Sequence, residues 1–91
     1  MKENLYKVKL GPYARADLRE IGTYYRNQAG DRVADEIMGR IYKDLSILKT
    51  FPRIGPAYER EKHRIFLVYE GRYVALYVPD EKRRLVGAED G

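Results

Sequence analysis

His63 is the one side chain in the sequence that titrates near neutrality without perturbation, which makes it the first candidate for general acid–base chemistry. A lone histidine at the start of a strand is more often a surface or half-buried residue, so a catalytic role is the minor reading. The carboxylates Glu59, Glu61, Glu70, Glu89 and Asp90 are the next candidates, as pairs that could share acid–base work. They are interleaved with basic residues, and ion pairing is the plainer account of them. The cations carry a sharper pattern. Arg60, Lys62 and Arg64 occupy alternate positions before Phe66, and Arg72, Arg83 and Arg84 stand at later strand starts. Convergence of Lys62, Arg64 and Arg72 on an open sheet face would give a cationic patch able to hold phosphates or an acidic chain. The bland alternative, equally weighted, is that strand-end cations protect sheet edges and keep the protein in solution. The sequence has no cysteine, which excludes disulfides, thiolate catalysis and Cys-ligated zinc, and one histidine is too few for a His-based metal site. Gly71 and Gly87 are isolated turn glycines rather than a phosphate-cradling loop. No cofactor and no metal are therefore expected.

The elements that must position these residues can be read from periodicity. Leu5 to Leu10 alternates, with Tyr6, Val8 and Leu10 on one side and lysines on the other, as in a half-buried strand. Gly11-Pro12 ends it and opens a helix whose stripe is Ala14, Leu18, Ile21 and Tyr25, stopping near Ala29-Gly30. Asp31 is the expected N-cap of a second helix carrying Ala34, Met38, Ile41, Leu45 and Leu48, widened by Val33, Ile37 and Ile47. Gly39 costs about 1 kcal/mol relative to alanine inside a helix, an expense that close packing would have to offset. Phe51-Pro52 closes that helix. A short break between two amphipathic helices predicts an antiparallel pair. After a loop through Gly55-Pro56 come three β-prone runs, at His63 to Tyr69, Tyr73 to Val78 and Arg83 to Val86, separated by Gly71 and by Pro79 to Lys82. The expected class is α+β in the order β-α-α-β-β-β, a helical hairpin packed on one face of a small antiparallel sheet with the other face partly open.

All of this fits one domain over residues 1–91, since 91 residues leave no room for a linker. Hydrophobic residues are 44% and charged residues 35%, and nothing approaches the roughly 18 consecutive apolar residues of a membrane span. Met1 to Asn4 shows no signal-peptide character, and the cysteine-free composition suits a reducing, cytoplasmic setting. The net charge of +4 is compatible with nucleic acid or with an acidic protein partner and decides between neither. Its distribution is more informative. Residues 31 to 50 hold four basic and four acidic side chains, whereas residues 1 to 30 hold six basic against three acidic, and the last residues are acidic. Nine of the eleven aromatic residues are tyrosine, which serves interfaces as well as small cores.

Leu10-Gly11-Pro12 followed by Ala14-Arg15-Ala16-Asp17-Leu18-Arg19-Glu20-Ile21 is similar to the first-helix signature of the RelE/ParE superfamily of bacterial toxins. Phe51-Pro52-Arg53-Ile54-Gly55 resembles the phrase closing that family's second helix. Arg64, then Gly71-Arg72-Tyr73, resembles its second-strand arginine and the turn into its third strand. The resemblance covers most of the chain and implies a helical hairpin on a small sheet. It also implies one of two activities, because RelE-like members are ribosome-dependent endoribonucleases whereas ParE-like members inhibit DNA gyrase by protein contact. A nuclease of this type carries an arginine after the tyrosine that opens the third strand, and basic, His or Tyr groups near the C-terminus, to stabilise phosphorane charge and move protons. Here Val74 follows Tyr73, and Val86-Gly87-Ala88-Glu89-Asp90 supplies none of them. The ParE branch is therefore the closer resemblance, although its usual ending has a His before the Gly and an Arg before the Asp, where this chain has Val86 and Glu89. The ParE resemblance implies a toxin without a catalytic residue, held by a cognate antitoxin of ribbon-helix-helix type. It also implies DNA gyrase as the target, no membrane association, and no sequence-specific nucleic-acid binding by the chain alone. Arg64, Arg72, Arg83 and Arg84 are the expected charged partner contacts, with Tyr73 and Tyr77 as neighbouring anchors. The alternatives are a RelE-like messenger-RNA endonuclease using Lys62, Arg64, Arg72 and Arg83, and an interaction module of the same fold without toxicity.

Overall fold

The computed structural model describes residues 5–58 and 60–89. Residues 1–4, Glu59, Asp90 and Gly91 lie outside that set, as do the side chains of Arg60, Glu61 and Glu89. The chain runs β1 (Lys7–Leu10), α1 (Pro12–Ala29), α2 (Asp31–Thr50), β2 (Ala57–Tyr58), β3 (Arg60–Val68), β4 (Tyr73–Asp80) and β5 (Leu85–Glu89). The expected β-α-α-β-β-β order is present, with the two-residue β2 added where the sequence reads as loop.

Pro12 occupies the first turn of α1, where its missing N–H costs nothing. A single residue, Gly30, separates the helices. Its N–H donates to the Arg26 carbonyl at 3.0 Å, and its own carbonyl accepts from the Ala34 N–H at 3.0 Å, so it ends one helix and starts the next. At φ 92, ψ 171 it sits in a region open essentially only to glycine. Gly30, not Asp31, is therefore the N-cap of α2. Asp31 is its first helical residue, where a carboxylate still favours the positive end of the helix dipole. The stripe of α2 packs as expected, with Ala34, Ile37, Ile41, Leu45 and Leu48 buried, but Ile47 turns outward and is 38% exposed. The glycine that packs closely is Gly22 of α1, whose Cα faces the Met38 side chain, whereas Gly39 faces open space.

The sheet order is β1-β5-β4-β3-β2. β3, β4 and β5 form the expected antiparallel meander, and β2 pairs antiparallel with β3 through an irregular register. β1 joins β5 in parallel, Val8 opposite Val86 and Leu10 opposite Ala88, so the sheet is mixed at that edge. Side chains alternate between the two faces. One face presents Val68, Tyr77, Val86 and Ala88 to the core, where they meet Ile37, Ile41, Leu45 and Leu48 of α2. The other face carries Leu67 and Val74, which are 56% and 59% exposed. α1 packs on α2 and against β1 and β5, and an apolar cleft of about 290 Å³ between the helices and the sheet is lined by Leu18, Ile21, Ile41, Val68 and Ala88.

Candidate partner-binding surface

Arg64 lies in the middle of β3, opposite Tyr77, and the alternation of the strand points it toward the helical side rather than the open face. There its Nη1 donates to two backbone carbonyls of the segment leaving α2, Arg53 at 3.2 Å and Gly55 at 2.6 Å. The same segment is tied from the other side by Tyr77. This tyrosine is fully buried, and its hydroxyl accepts the Gly55 N–H at 3.0 Å. A Cβ on Gly55 would stand 1.9 Å from the Ile65 carbonyl oxygen, so only glycine allows the loop to lie this close to β3. Arg64 and Tyr77 are thus parts of one internal clamp. Tyr77 cannot be the partner anchor expected from sequence, because no part of it reaches the surface.

The convergence of Lys62, Arg64 and Arg72 on the open face does not occur. Arg72 stands just before β4, five residues along the chain from Tyr77 and so about 17 Å from Arg64 in backbone terms. Lys62 and Arg64 do meet, not on the open face but in a surface groove that they line with Arg53, Lys82, Asp80 and Glu81. That groove is of mixed charge. The Arg53 Nε donates to Glu81 at 2.9 Å and its Nη2 contacts the same carboxylate, whose hydrogen bond raises the guanidinium pKa. Arg83 and Arg84 occupy the β4–β5 turn and are exposed. The Arg83 N–H donates to Asp80 at 3.2 Å, its side chain lies 3.9 Å from the same carboxylate, and Arg84 has a left-handed backbone at φ 52. This turn and Arg72 are at opposite ends of β4, about 25 Å apart. His63 is half-buried on β3, and strand alternation sets it on the opposite face from Arg64. No group of three or more histidine or carboxylate side chains able to hold a metal gathers among the described residues.

Tyr73 belongs to a cluster that its neighbours in sequence only partly announce. Its hydroxyl lies 3.1 Å from that of Tyr25 on α1, and its ring stacks on Tyr69 at 13° with centroids 6.4 Å apart. The hydrogen bond to Tyr25, with burial behind it, pushes the Tyr73 phenol up to about 12. Tyr25 in turn makes edge contacts with Tyr24 and Tyr69. Arg40 of α2 and Arg72 place their guanidinium carbons 4.9 and 5.5 Å from the Tyr69 ring centroid. Arg40 also holds Glu70 at 2.5 Å, and this hydrogen bond keeps the Glu70 carboxyl below its usual range. Sequence reading found Arg72 and Tyr73 but not Tyr24, Tyr25, Arg40 or Tyr69. The signal available was the tyrosine pair bracketing Glu70-Gly71-Arg72. Their helical partners are about 30 to 50 residues away and carry no spacing rule that links them.

The turn that carries this cluster is left-handed at three successive residues, Tyr69 (φ 53), Glu70 (φ 57) and Gly71 (φ 81). For Tyr69 and Glu70 that conformation costs roughly 1–2 kcal/mol each, so it persists only because neighbours over-determine it. The Asp44 carboxylate accepts the Tyr69 N–H at 2.7 Å, and the Arg72 N–H returns to the Tyr69 carbonyl at 3.1 Å.

No helix among the described residues is long and apolar enough to cross a membrane. Among curated proteins none matches the chain in sequence. The solved structure of a chromosomal ParDE toxin–antitoxin system from P. aeruginosa contains a chain similar in fold, with a TM-score of 0.77 at 17% identity, covering 93% of this chain and 91% of that one. The model of the ParE toxin of the parDE type II toxin–antitoxin system matches residues 8–88, nearly the whole of the two-layer domain described above. The chain belongs to the ParE toxin family of type II toxin–antitoxin systems.

Proposed function

We propose that this ParE-family toxin acts by binding alone, inhibiting DNA gyrase through protein contacts, and that a cognate antitoxin, of ribbon-helix-helix type, keeps it inactive. The observation that carries this reading is the commitment of Arg64. A nuclease of this fold needs its strand cations free and convergent on a phosphate, but Arg64 is spent on the carbonyls of Arg53 and Gly55. The remaining cations support the same reading. Lys62 and Lys82 share their groove with Arg64, which is held by backbone carbonyls, with Arg53, which is paired to Glu81, and with Asp80, and the two carboxylates oppose a phosphate there, while Arg72 and the pair Arg83 and Arg84 are dispersed to opposite ends of β4. Dispersed exposed arginines suit a broad protein interface, in which Arg and Tyr are the common anchors. Arg72, Arg83 and Arg84 are accordingly the charged contacts in this reading, with Tyr73 holding Tyr69 in place beneath them.

The test is supercoiling by purified gyrase in the presence of the purified chain. Inhibition at micromolar toxin, relieved by substituting Arg72 or Arg83 with Glu, is the expected result; unimpaired supercoiling overturns the proposal. Primer extension on a translated message runs alongside it, since codon-phased cleavage would assign the chain to the nuclease reading instead.

A further inference from the structure

Arg72 is presented differently from the other exposed cations. A guanidinium lying against an aromatic ring keeps its N–H rim directed away from the ring, as a fork suited to a carboxylate. Two such groups lie against Tyr69. The rim of Arg40 is already used by Glu70, at 2.5 Å, whereas Arg72 forms no ion pair among the described residues. The backbone on either side of Arg72 is fixed by the left-handed run at Tyr69, Glu70 and Gly71, by the Asp44 carboxylate and by the stacked Tyr73. Beside the cluster stands Tyr24, 56% exposed and packed edge-on against Tyr25, which touches Tyr69 in the same way.

We propose that the β3–β4 turn, with Arg40 and Tyr24, is a preformed docking surface for an acidic segment of a protein partner. Arg72 receives a carboxylate through its fork, and Tyr24 with the outer edge of Tyr69 receives the apolar side chain next to it. The turn fixes the backbone that carries Arg72 and the Tyr69 ring contacts its guanidinium, so less side-chain entropy is lost on association. A protein segment fits better than nucleic acid for two reasons. The Tyr69 ring is already engaged by two guanidinium groups and Tyr73, which leaves Tyr24 as the one exposed ring of the cluster, whereas single-stranded nucleic acid is held by stacking successive bases on several rings. Glu70 on the turn and Asp44 on α2 beneath it also oppose a run of phosphates, whereas a peptide carboxylate needs one cation only. This inference rests on the reading that the chain works by binding a protein, and it does not depend on which protein that is.

Fluorescence anisotropy tests it with two labelled probes of equal charge, an acidic peptide alternating glutamate and leucine, and an oligothymidylate. The chain is used as wild type and as Arg72→Glu, Arg72→Lys and Lys9→Glu, the last making the same charge change on the exposed edge strand β1, away from this surface. The expected result is peptide binding weakened about tenfold or more by R72E, which corresponds to loss of a charge-assisted contact, severalfold by R72K, and less than about twofold by K9E. Equal losses in R72E and K9E would reduce the effect to net charge and overturn the proposal. So would tighter binding of the oligothymidylate, or no peptide binding at millimolar concentration. Gyrase supercoiling with the same samples keeps the two ideas apart. Peptide binding that depends on Arg72, without gyrase inhibition, sinks only the gyrase target; inhibition unchanged in a chain that ignores the peptide sinks only this surface.

Discussion

Gly39 sits in the middle of α2 with nothing within 4 Å of where a Cβ would be, and it is exposed. Its backbone is helical, so alanine there restricts the unfolded chain without a clash in the folded one. Gly39→Ala is expected to raise stability by about 0.5–1 kcal/mol, read as a higher urea midpoint at unchanged slope. Gly55 is the opposite case. Its Cβ would meet the Ile65 carbonyl at 1.9 Å, and the surrounding loop is held by both Arg64 and Tyr77, so Gly55→Ala should cost about 3 kcal/mol, toward the upper end for a single substitution. Tyr73 gives a pH signature. Its phenol ionises at about 12 in the fold against an ordinary value of 10.0, so the neutral form is the one the folded state favours. Its contribution is complete below pH 10 and is lost as pH rises from there through about 12, because the unfolded chain releases the proton first. Thermal melts over that window should fall more steeply for the wild type than for Tyr73→Phe; parallel curves would show that the Tyr25 hydroxyl does not hold the Tyr73 proton.

Between elements, the connections do more than join. Gly30 turns α1 directly into α2, and the Arg26 side chain, near the end of α1, lies 3.4 and 3.7 Å from Asp31 and Asp35 across that junction. Helix boundaries were legible in the sequence because Pro12, Gly30 and Phe51-Pro52 each forbid continuation for a local reason. The exact cap was not, since Asp31 is a good N-cap by type and only the φ of Gly30 shows that the preceding residue took the position. Strand alternation likewise gave faces but no partners, and the parallel pairing of β1 with β5 depends on where α1 and α2 return the chain. The β3–β4 turn shows how an element can be set by a distant one. Asp44 on α2 accepts the Tyr69 N–H, a charge-assisted bond spanning 25 residues. Asp44→Ala should therefore cost about 1.5–3 kcal/mol by urea unfolding. Amide exchange should quicken most at Tyr69, within the turn; a loss of protection confined to α2 would place the role of Asp44 elsewhere.

Taken as a whole molecule, the sheet has one packed face and one bare one, and this asymmetry decides where chemistry and partners can be. The side of the sheet facing α2 was legible from the helical stripe and from strand periods. The placement of the candidate site was not, because Arg64 and Arg72 look equivalent in sequence, and only strand register sends one inward to backbone carbonyls and leaves the other on a turn. The role of Tyr77 was hidden for the same reason, since a tyrosine suits an interface and a core equally well and here is fully buried. The two faces differ enough to be told apart by truncation. Ile41 and Leu48 are 1% and 0% exposed between α2 and the sheet, so either residue changed to alanine removes buried surface and leaves a cavity, at about 2–5 kcal/mol. Leu67 is one residue from the buried Val68 but points to the open face and is 56% exposed, so Leu67→Ala loses little burial and should stay within about 0.5 kcal/mol of wild type. Urea unfolding of the three variants in the isolated chain gives the comparison. A large loss for Leu67→Ala would mean that the bare face is covered in solution by a second copy or another layer, and in that case the loss should grow smaller as the protein is diluted.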